Sequence, residues 1–121
     1  MTAPYDVAIV GAGVIGAAVA RRLAACRLRV ALLEKEIDVG FGVSKANSGI
    51  VHAGFHHACG SLKAELEVSG NEMYDRLHRE LGFPFKRIGI LVAAFSDEEM
   101  AIVEELFEQG RRNGVPGLEV C

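Results

Sequence analysis

A glycine-rich turn between two short apolar runs constrains this chain more than any other feature. Tyr5–Val10 has the composition of a buried strand, Gly11–Gly16 has the pattern G-x-G-x-x-G, and a second apolar run, Leu28–Leu33, ends at Glu34. A strand, a glycine turn, a helix, a second strand and an acid about 20 residues on are typical of a βαβ unit that binds a dinucleotide. The sequence therefore predicts an α/β fold with a parallel sheet.

Each glycine has a mechanical role in such a unit. The first makes the tight turn, the second lets the main chain approach a pyrophosphate, and the third lets the helix pack close to the sheet. Unpaired N–H groups at the start of the helix face the phosphates, and the acid can accept from ribose hydroxyls. An ordinary βαβ unit without a ligand is the alternative. The residues predicted to bind the dinucleotide are Gly11, Gly13, Val14, Ile15, Gly16 and Glu34.

Apolar periodicity and capping signals predict the other elements. A doubly wound sheet needs about five or six strands, and fewer candidates are found here, which favours the front end of a longer protein. The predicted elements are a helix over Val14–Cys26, a helix between the cap Ser61 and the stop Gly82, a strand over Phe85–Phe95, and a helix between the cap Ser96 and the stop Gly114.

Composition limits the function class. Half of the 121 residues are apolar and the formal net charge is −3, so the chain can bury one modest core and has no basic surface for nucleic acid. The sequence contains no run of about 18 apolar residues, so it predicts no transmembrane helix. The three cysteines are irregularly spaced and suit a reducing compartment better than a disulfide framework. We therefore expect a cytoplasmic location.

The segment after the second strand narrows the interpretation. Residues 36–60 are rich in Gly, Ser, Asn and His and have no clean period, and long connections of this kind are uncommon unless they bind something. Residues 5–36 resemble the adenine-dinucleotide finger of the flavoproteins that have two dinucleotide-binding domains. Residues 42–54 resemble the second flavin-contacting segment of the D-amino-acid oxidase-like superfamily. Residues 47–49, 52–54 and 60–64 resemble its L-2-hydroxyglutarate dehydrogenase/oxidase branch, which includes bacterial proteins described as FAD-dependent glycerol-3-phosphate dehydrogenases.

This resemblance implies FAD as the cofactor and an FAD/NAD(P)-binding Rossmann-like fold. Residues 1–82 would form the N-terminal part of the FAD-binding domain, and residues 83–121 would begin an α+β substrate domain. Lys35 would lie beside the adenine and His52 close to the isoalloxazine ring. The chain departs from the family pattern over Phe55–Cys59, where tyrosine and proline are usual. Further implied cofactor contacts are Ser44, Asn47, Ser48 and Gly49.

Three histidines and a cysteine lie close together in this part of the sequence. His52, His56, His57 and Cys59 are residue types that bind zinc, but the spacing H-x3-H-H-x-C matches no common structural site. We therefore predict no metal. His56 and His57 are expected to be semi-exposed loop residues.

The activity that the resemblance implies is oxidation of the secondary hydroxyl of a small anionic substrate, such as glycerol 3-phosphate or L-2-hydroxyglutarate, by hydride transfer to flavin. His52 is the predicted catalytic base, because an unperturbed histidine titrates near neutrality. An NAD-binding dehydrogenase domain, with a short loop after Glu34 leading to another strand, is one alternative. A non-catalytic dinucleotide-binding fragment is the other. A peripheral membrane or electron-acceptor partner and a homo-oligomer are also left open.

Overall fold

The computed structural model describes residues 4–121 and contains, in chain order, a strand, a helix, a strand and two helices. These residues divide into two compact units, 4–49 and 50–121. The domain boundary predicted after residue 82 is not tested by this division and stays a prediction. No helix in the described part of the chain is long and apolar enough to cross a membrane.

The first unit is a βαβ unit. Strand β1 spans Val7–Val10, helix α1 spans Val14–Leu23 and strand β2 spans Val30–Leu33. The two strands are parallel and pair in register along their whole length. The predicted α/β architecture with a parallel sheet is confirmed for this unit.

Helix α1 and strand β2 are both shorter than predicted. The helix ends at Leu23 because the chain turns there, with the N–H of Cys26 donating to Leu23 O at 2.8 Å. Strand β2 begins only at Val30. Just before it, Arg29 donates from its main-chain N–H and from Nη2 to the Asp6 carboxylate, each at 2.8 Å. This ion pair joins the residues that precede the two strands.

Two helices dominate the second unit. Helix α2 spans Leu62–Leu81 and helix α3 spans Asp97–Asn113, and they pack against each other. Their N-caps are the predicted Ser61 and Ser96, whose hydroxyls each accept a main-chain N–H from the first turn of the helix. The predicted stops are also confirmed, and both are left-handed: Gly82 with φ 72° and Gly114 with φ 78°.

The segment that precedes α2 is held by the end of α3. Gln109 Nε2 donates to Phe55 O at 2.8 Å, and Asn113 Nδ2 donates to the carbonyl groups of Gly54 and His57 at the same distance. The Phe55 side chain is buried. These hydrogen bonds satisfy carbonyl groups that would otherwise lack partners beside a buried ring, so they fix the path of the segment.

The strand predicted over Phe85–Phe95 does not form, and within residues 4–121 that prediction is wrong. Gly89 has φ 73°, which interrupts an extended run, and the described part of the second unit contains no strand for the segment to pair with. The residues around Val92 in this segment instead line an open apolar groove of about 540 Å³, together with Leu106 and Phe107 of α3.

Candidate functional site

The turn after β1 has the geometry that its glycines predict. Gly11 has φ 97°, a left-handed value that strains any residue with a side chain. A Cβ at Gly16 would lie only 1.9 Å from Gly11 O, so the helix approaches the turn more closely than alanine would allow. A Cβ at Gly13 would lie 3.1 Å from Ser44 Oγ. The main chain of the turn is therefore bare where a pyrophosphate would have to approach it.

Helix α1 is capped by a residue that lies far from it in sequence. Ser44 Oγ accepts the N–H of Val14, the first residue of α1, at 2.8 Å, while Gly13 at the N-cap has no side chain for this purpose. A serine hydroxyl that accepts one hydrogen bond can still donate its own hydrogen. Ser44 was predicted as a cofactor contact, but no sequence signal pointed to its capping role.

The next two N–H groups of α1 are left for a ligand. Those of Ile15 and Gly16 have no acceptor among residues 4–121. The first N–H groups of a helix lack intrahelical partners, and the helix dipole favours negative charge at the same place. This helix start can therefore accept a phosphate with two main-chain donors, and the Ser44 hydroxyl lies next to them.

Glu34 lies against the glycine turn and holds its main chain. Its Oε2 accepts the N–H of Ala12 at 2.7 Å, and its Oε1 accepts the N–H groups of Lys35 and Glu36 at 2.8 and 3.1 Å. The hydrogen bond from Ala12, followed by that from Glu36, lowers the pKa of the Glu34 carboxyl. A carboxylate has about four acceptor positions, so one remains for a ribose hydroxyl. The side chain of Lys35 is strongly exposed, and its place beside an adenine stays a prediction.

The loop that carries Ser44 is folded by Asn47. Its Nδ2 donates to Ser44 O at 2.6 Å, and its Oδ1 accepts the N–H of Gly49 at 2.8 Å. Ser48 is exposed between them. The structure thus brings Ser44 and Glu34 to the glycine turn, whereas Asn47 shapes the loop. The predicted cofactor contacts of residues 47–49 stay predictions.

The predicted base, His52, belongs to the second unit. It is exposed and lies edge-on to His56, with ring centroids 6.3 Å apart. Its main-chain O accepts from Asn71 Nδ2 at 2.9 Å, and Asn71 Oδ1 accepts in turn from Arg87 Nη1 at 2.7 Å. Asn71 and Arg87 carry no signal in the sequence, because no regular spacing connects positions 52, 71 and 87.

The neighbouring histidines and cysteine have protein partners of their own. His57 Nε2 lies 2.9 Å from Glu67 Oε1, and Cys59 Sγ donates to Gln109 O at 3.6 Å. Across residues 4–121, no group of three His, Cys, Asp or Glu side chains is placed to hold a metal ion.

The chain is similar to a family of oxidoreductases and to individual dehydrogenases and an oxidase. A family described as FAD dependent oxidoreductase matches residues 6–120. The glycerol 3-phosphate dehydrogenase of Caloramator mitchellensis is 55% identical over 96% of this chain and 24% of its own length. The mitochondrial L-2-hydroxyglutarate dehydrogenase of Nematostella vectensis is 40% identical over 94% of this chain and 25% of its own length. The glycerol 3-phosphate oxidase of Mycoplasma genitalium is 39% identical over 92% of this chain and 29% of its own length. The chain therefore spans about a quarter of the length of these relatives.

Proposed function

This chain belongs to the FAD-dependent oxidoreductase family, and on that premise we propose that it is part of an enzyme that oxidises the secondary hydroxyl of a small anionic substrate. The relatives are named for glycerol 3-phosphate and L-2-hydroxyglutarate. Both molecules are small, anionic and carry a secondary hydroxyl. The higher identity to a protein named for glycerol 3-phosphate makes that compound the first substrate to test.

The observation that carries the cofactor proposal is the bare glycine turn at the start of α1. The residues fit a dinucleotide because the Ile15 and Gly16 N–H groups lack acceptors among residues 4–121. The helix also approaches the turn so closely at Gly16 that a side chain there would not fit, and the Glu34 carboxylate lies at the same turn. In this proposal the two N–H groups and the Ser44 hydroxyl hold the pyrophosphate, and Glu34 holds the ribose.

The chemistry is divided between the cofactor and the chain. Bound FAD supplies the hydride acceptor for alcohol oxidation. The contribution of this chain is to hold and orient the cofactor and to remove the hydroxyl proton. His52 is the proposed base, because a neutral imidazole can accept a proton near pH 7. Loss of that proton makes the C–H bond next to the oxygen a better hydride donor.

Four broader features complete the proposal. Residues 1–82 would contribute to the FAD-binding domain, and residues 83–121 would begin an α+β substrate domain. In this proposal an electron acceptor, in solution or at a membrane surface, would reoxidise the cofactor, and the enzyme would be able to form a homo-oligomer. We place the enzyme in the cytoplasm because the three cysteines are all free and show no pairing pattern.

An NAD-binding domain is disfavoured, since the described connection between Glu34 and α2 contains no strand.

The experiment is substrate reduction of the complete protein under anaerobic conditions. We expect glycerol 3-phosphate or L-2-hydroxyglutarate to bleach the flavin absorbance and an amino acid to leave it unchanged. His52→Gln should slow bleaching by about 100-fold, whereas His56→Gln, a matched change of an exposed neighbour, should not. Bleaching by the amino acid alone, or by none of the three, would contradict the proposed substrate class.

A further inference from the structure

Asn71 lies outside every motif and contacts the main chain of the proposed base, and Arg87 in turn contacts Asn71. We propose that Asn71 and Arg87 are positioning residues that hold the main chain of His52, and through it the imidazole, in the orientation that proton transfer requires. The inference rests on the proposed function of His52 as the base. The contacts that carry it lie entirely within the second unit.

The contacts form one continuous chain of hydrogen bonds. Asn71 Nδ2 donates to His52 O at 2.9 Å. Arg87 donates from Nη1 to Asn71 Oδ1 at 2.7 Å and from Nη2 to Asn71 O at 3.0 Å. Arg87 also donates to Asp75 Oδ2, from Nε at 2.9 Å and from Nη2 at 2.6 Å. The guanidinium therefore binds one turn of α2 at Asn71 and Asp75, and Asn71 in that turn donates to the main chain of His52.

The orientation of the Asn71 amide is fixed by its two neighbours. A guanidinium has only donors, so the amide oxygen has to face Arg87. A main-chain carbonyl only accepts, so the amide nitrogen has to face His52. Both requirements select the same orientation, because a flipped amide would lose its hydrogen bonds to His52 O and to Arg87 Nη1 together. Arg87 thereby determines that a donor is presented to His52.

The Arg87–Asp75 pair serves this geometry more than it serves stability. Hydrogen bonding with Arg87 lowers the pKa of the Asp75 carboxyl and that with Asp75 raises the pKa of the guanidinium, so both groups stay charged near neutrality. Their side chains are 46% and 48% exposed, and ion pairs this exposed add little to folding stability. The Arg87 guanidinium also lies 5.3 Å from the centre of the Phe85 ring. Asp75 and the Phe85 ring therefore set its position, while Nη1 and Nη2 donate to Asn71.

Lysine cannot replace Arg87 in this arrangement. An ammonium group is a compact point charge, whereas the planar guanidinium presents its donors in a rigid fork. Lysine could keep the attraction to Asp75 but could not also direct donors to the side chain and main chain of Asn71. Arg87→Lys therefore separates charge from geometry. Asn71→Asp is the complementary change, because it keeps an acceptor for Arg87 and removes the donor to His52 O.

The test measures kinetics of the complete, flavin-loaded protein on its best anionic alcohol. We expect Arg87→Lys and Asn71→Asp each to lower kcat by about 10-fold, the scale of a small misorientation of a catalytic group. KM and flavin content should stay near the parent values, and the limb of the kcat/KM pH profile that reports the base should move. Arg76→Lys, which changes an exposed arginine of α2 that is in an ion pair with Glu80, is the matched control and should keep the parent kcat.

The His52→Gln background separates positioning from a structural role. There we expect Arg87→Lys to cause no further loss, because the group that it positions is gone. An additional 10-fold loss in that background would show a general structural effect and overturn the inference. Parent-like kcat in both Arg87→Lys and Asn71→Asp, with His52→Gln slow, would refute the positioning role and leave the proposed function standing. If His52→Gln itself kept full activity, the base assignment would fall, and the inference with it.

Discussion

At the scale of single residues, the Glu34 carboxylate holds the main chain of the glycine turn. It accepts the N–H of Ala12 on the turn, and the carbonyl of Ala12 accepts from Gly40, so both main-chain groups of this buried residue are satisfied. A charged acceptor makes a stronger hydrogen bond than a neutral one. The ionised carboxylate of Glu34 therefore stabilises the folded conformation of the turn.

A pH dependence follows from this arrangement. The folded-state pKa of Glu34 is lowered, so its stabilisation is complete above the ordinary carboxyl value of 4.5 and is lost as the pH falls through the lower folded value. We expect the parent protein to release its flavin as the pH drops below that ordinary value. Glu34→Gln should bind flavin more weakly at neutral pH and with a flatter acid profile, as followed by flavin fluorescence.

The control for this prediction is Glu104→Gln, which neutralises an exposed acid of α3. It should release flavin with the parent profile. An unchanged acid profile in Glu34→Gln would mean that this carboxylate does not hold the turn.

Glycine roles could be predicted residue by residue, whereas long-range polar contacts could not. Gly11 and Gly16 follow a spacing whose mechanical cause is known, and the structure shows both the left-handed turn and the close approach. The hydrogen bonds of Asn71 and Arg87 depend on how α2 lies against two flanking segments. That packing has no period in sequence, so the sequence alone could not reveal them.

At the scale of elements, the start of α1 and the loop over residues 40–49 are joined by hydrogen bonds. The loop delivers Ser44 to the start of the helix, and Asn47 folds the loop behind it. Gly40 N–H also donates to Ala12 O at 2.9 Å, so the loop is joined to the turn at a second point. The helix start and the loop should therefore order together.

Ser44→Ala tests this coupling. Loss of a helix cap costs about 1 kcal/mol, and here we expect the same change to weaken flavin binding, because the loop loses its attachment and the pyrophosphate loses a hydroxyl donor. Ser69→Ala is the matched control, since that hydroxyl donates within α2, to Glu65 O at 2.8 Å and Leu66 O at 3.4 Å. Flavin titration of both variants distinguishes them. Equal affinity in Ser44→Ala and the parent would refute the coupling.

Helix ends could be predicted from the sequence where a cap within the same segment determines them. The strand prediction failed because a strand forms only when a neighbouring strand pairs with it. Ser61 and Ser96 cap their helices through their own nearest amides, which is a local matter. A strand over Phe85–Phe95 needs a neighbour, and the described residues of the second unit supply none. The shortening of β2 has the same origin, because only residues opposite β1 can join the ladder.

At the scale of the whole molecule, several predicted buried faces are not covered by the described residues. Leu62 and Leu66, on the apolar stripe of α2, are 68% and 59% exposed, and Val10 of β1 is 86% exposed. Apolar faces of this kind normally pack against other elements. The chain also spans only about a quarter of the length of its relatives. Functional experiments therefore belong on the complete protein.

The central claim is that main-chain amides at the start of α1 hold the dinucleotide, which requires the close approach of the helix to the turn at Gly16. The most direct measurement is the FAD content of the complete protein carrying Gly16→Ala, whose added Cβ would collide with Gly11 O, beside the matched control Gly70→Ala, whose Cβ meets nothing within 4 Å in the middle of α2. We predict that Gly16→Ala lowers FAD occupancy by about 10-fold or more, since overpacking of this kind costs about 1–3 kcal/mol, while Gly70→Ala keeps the parent occupancy. Full FAD occupancy in Gly16→Ala would contradict the account.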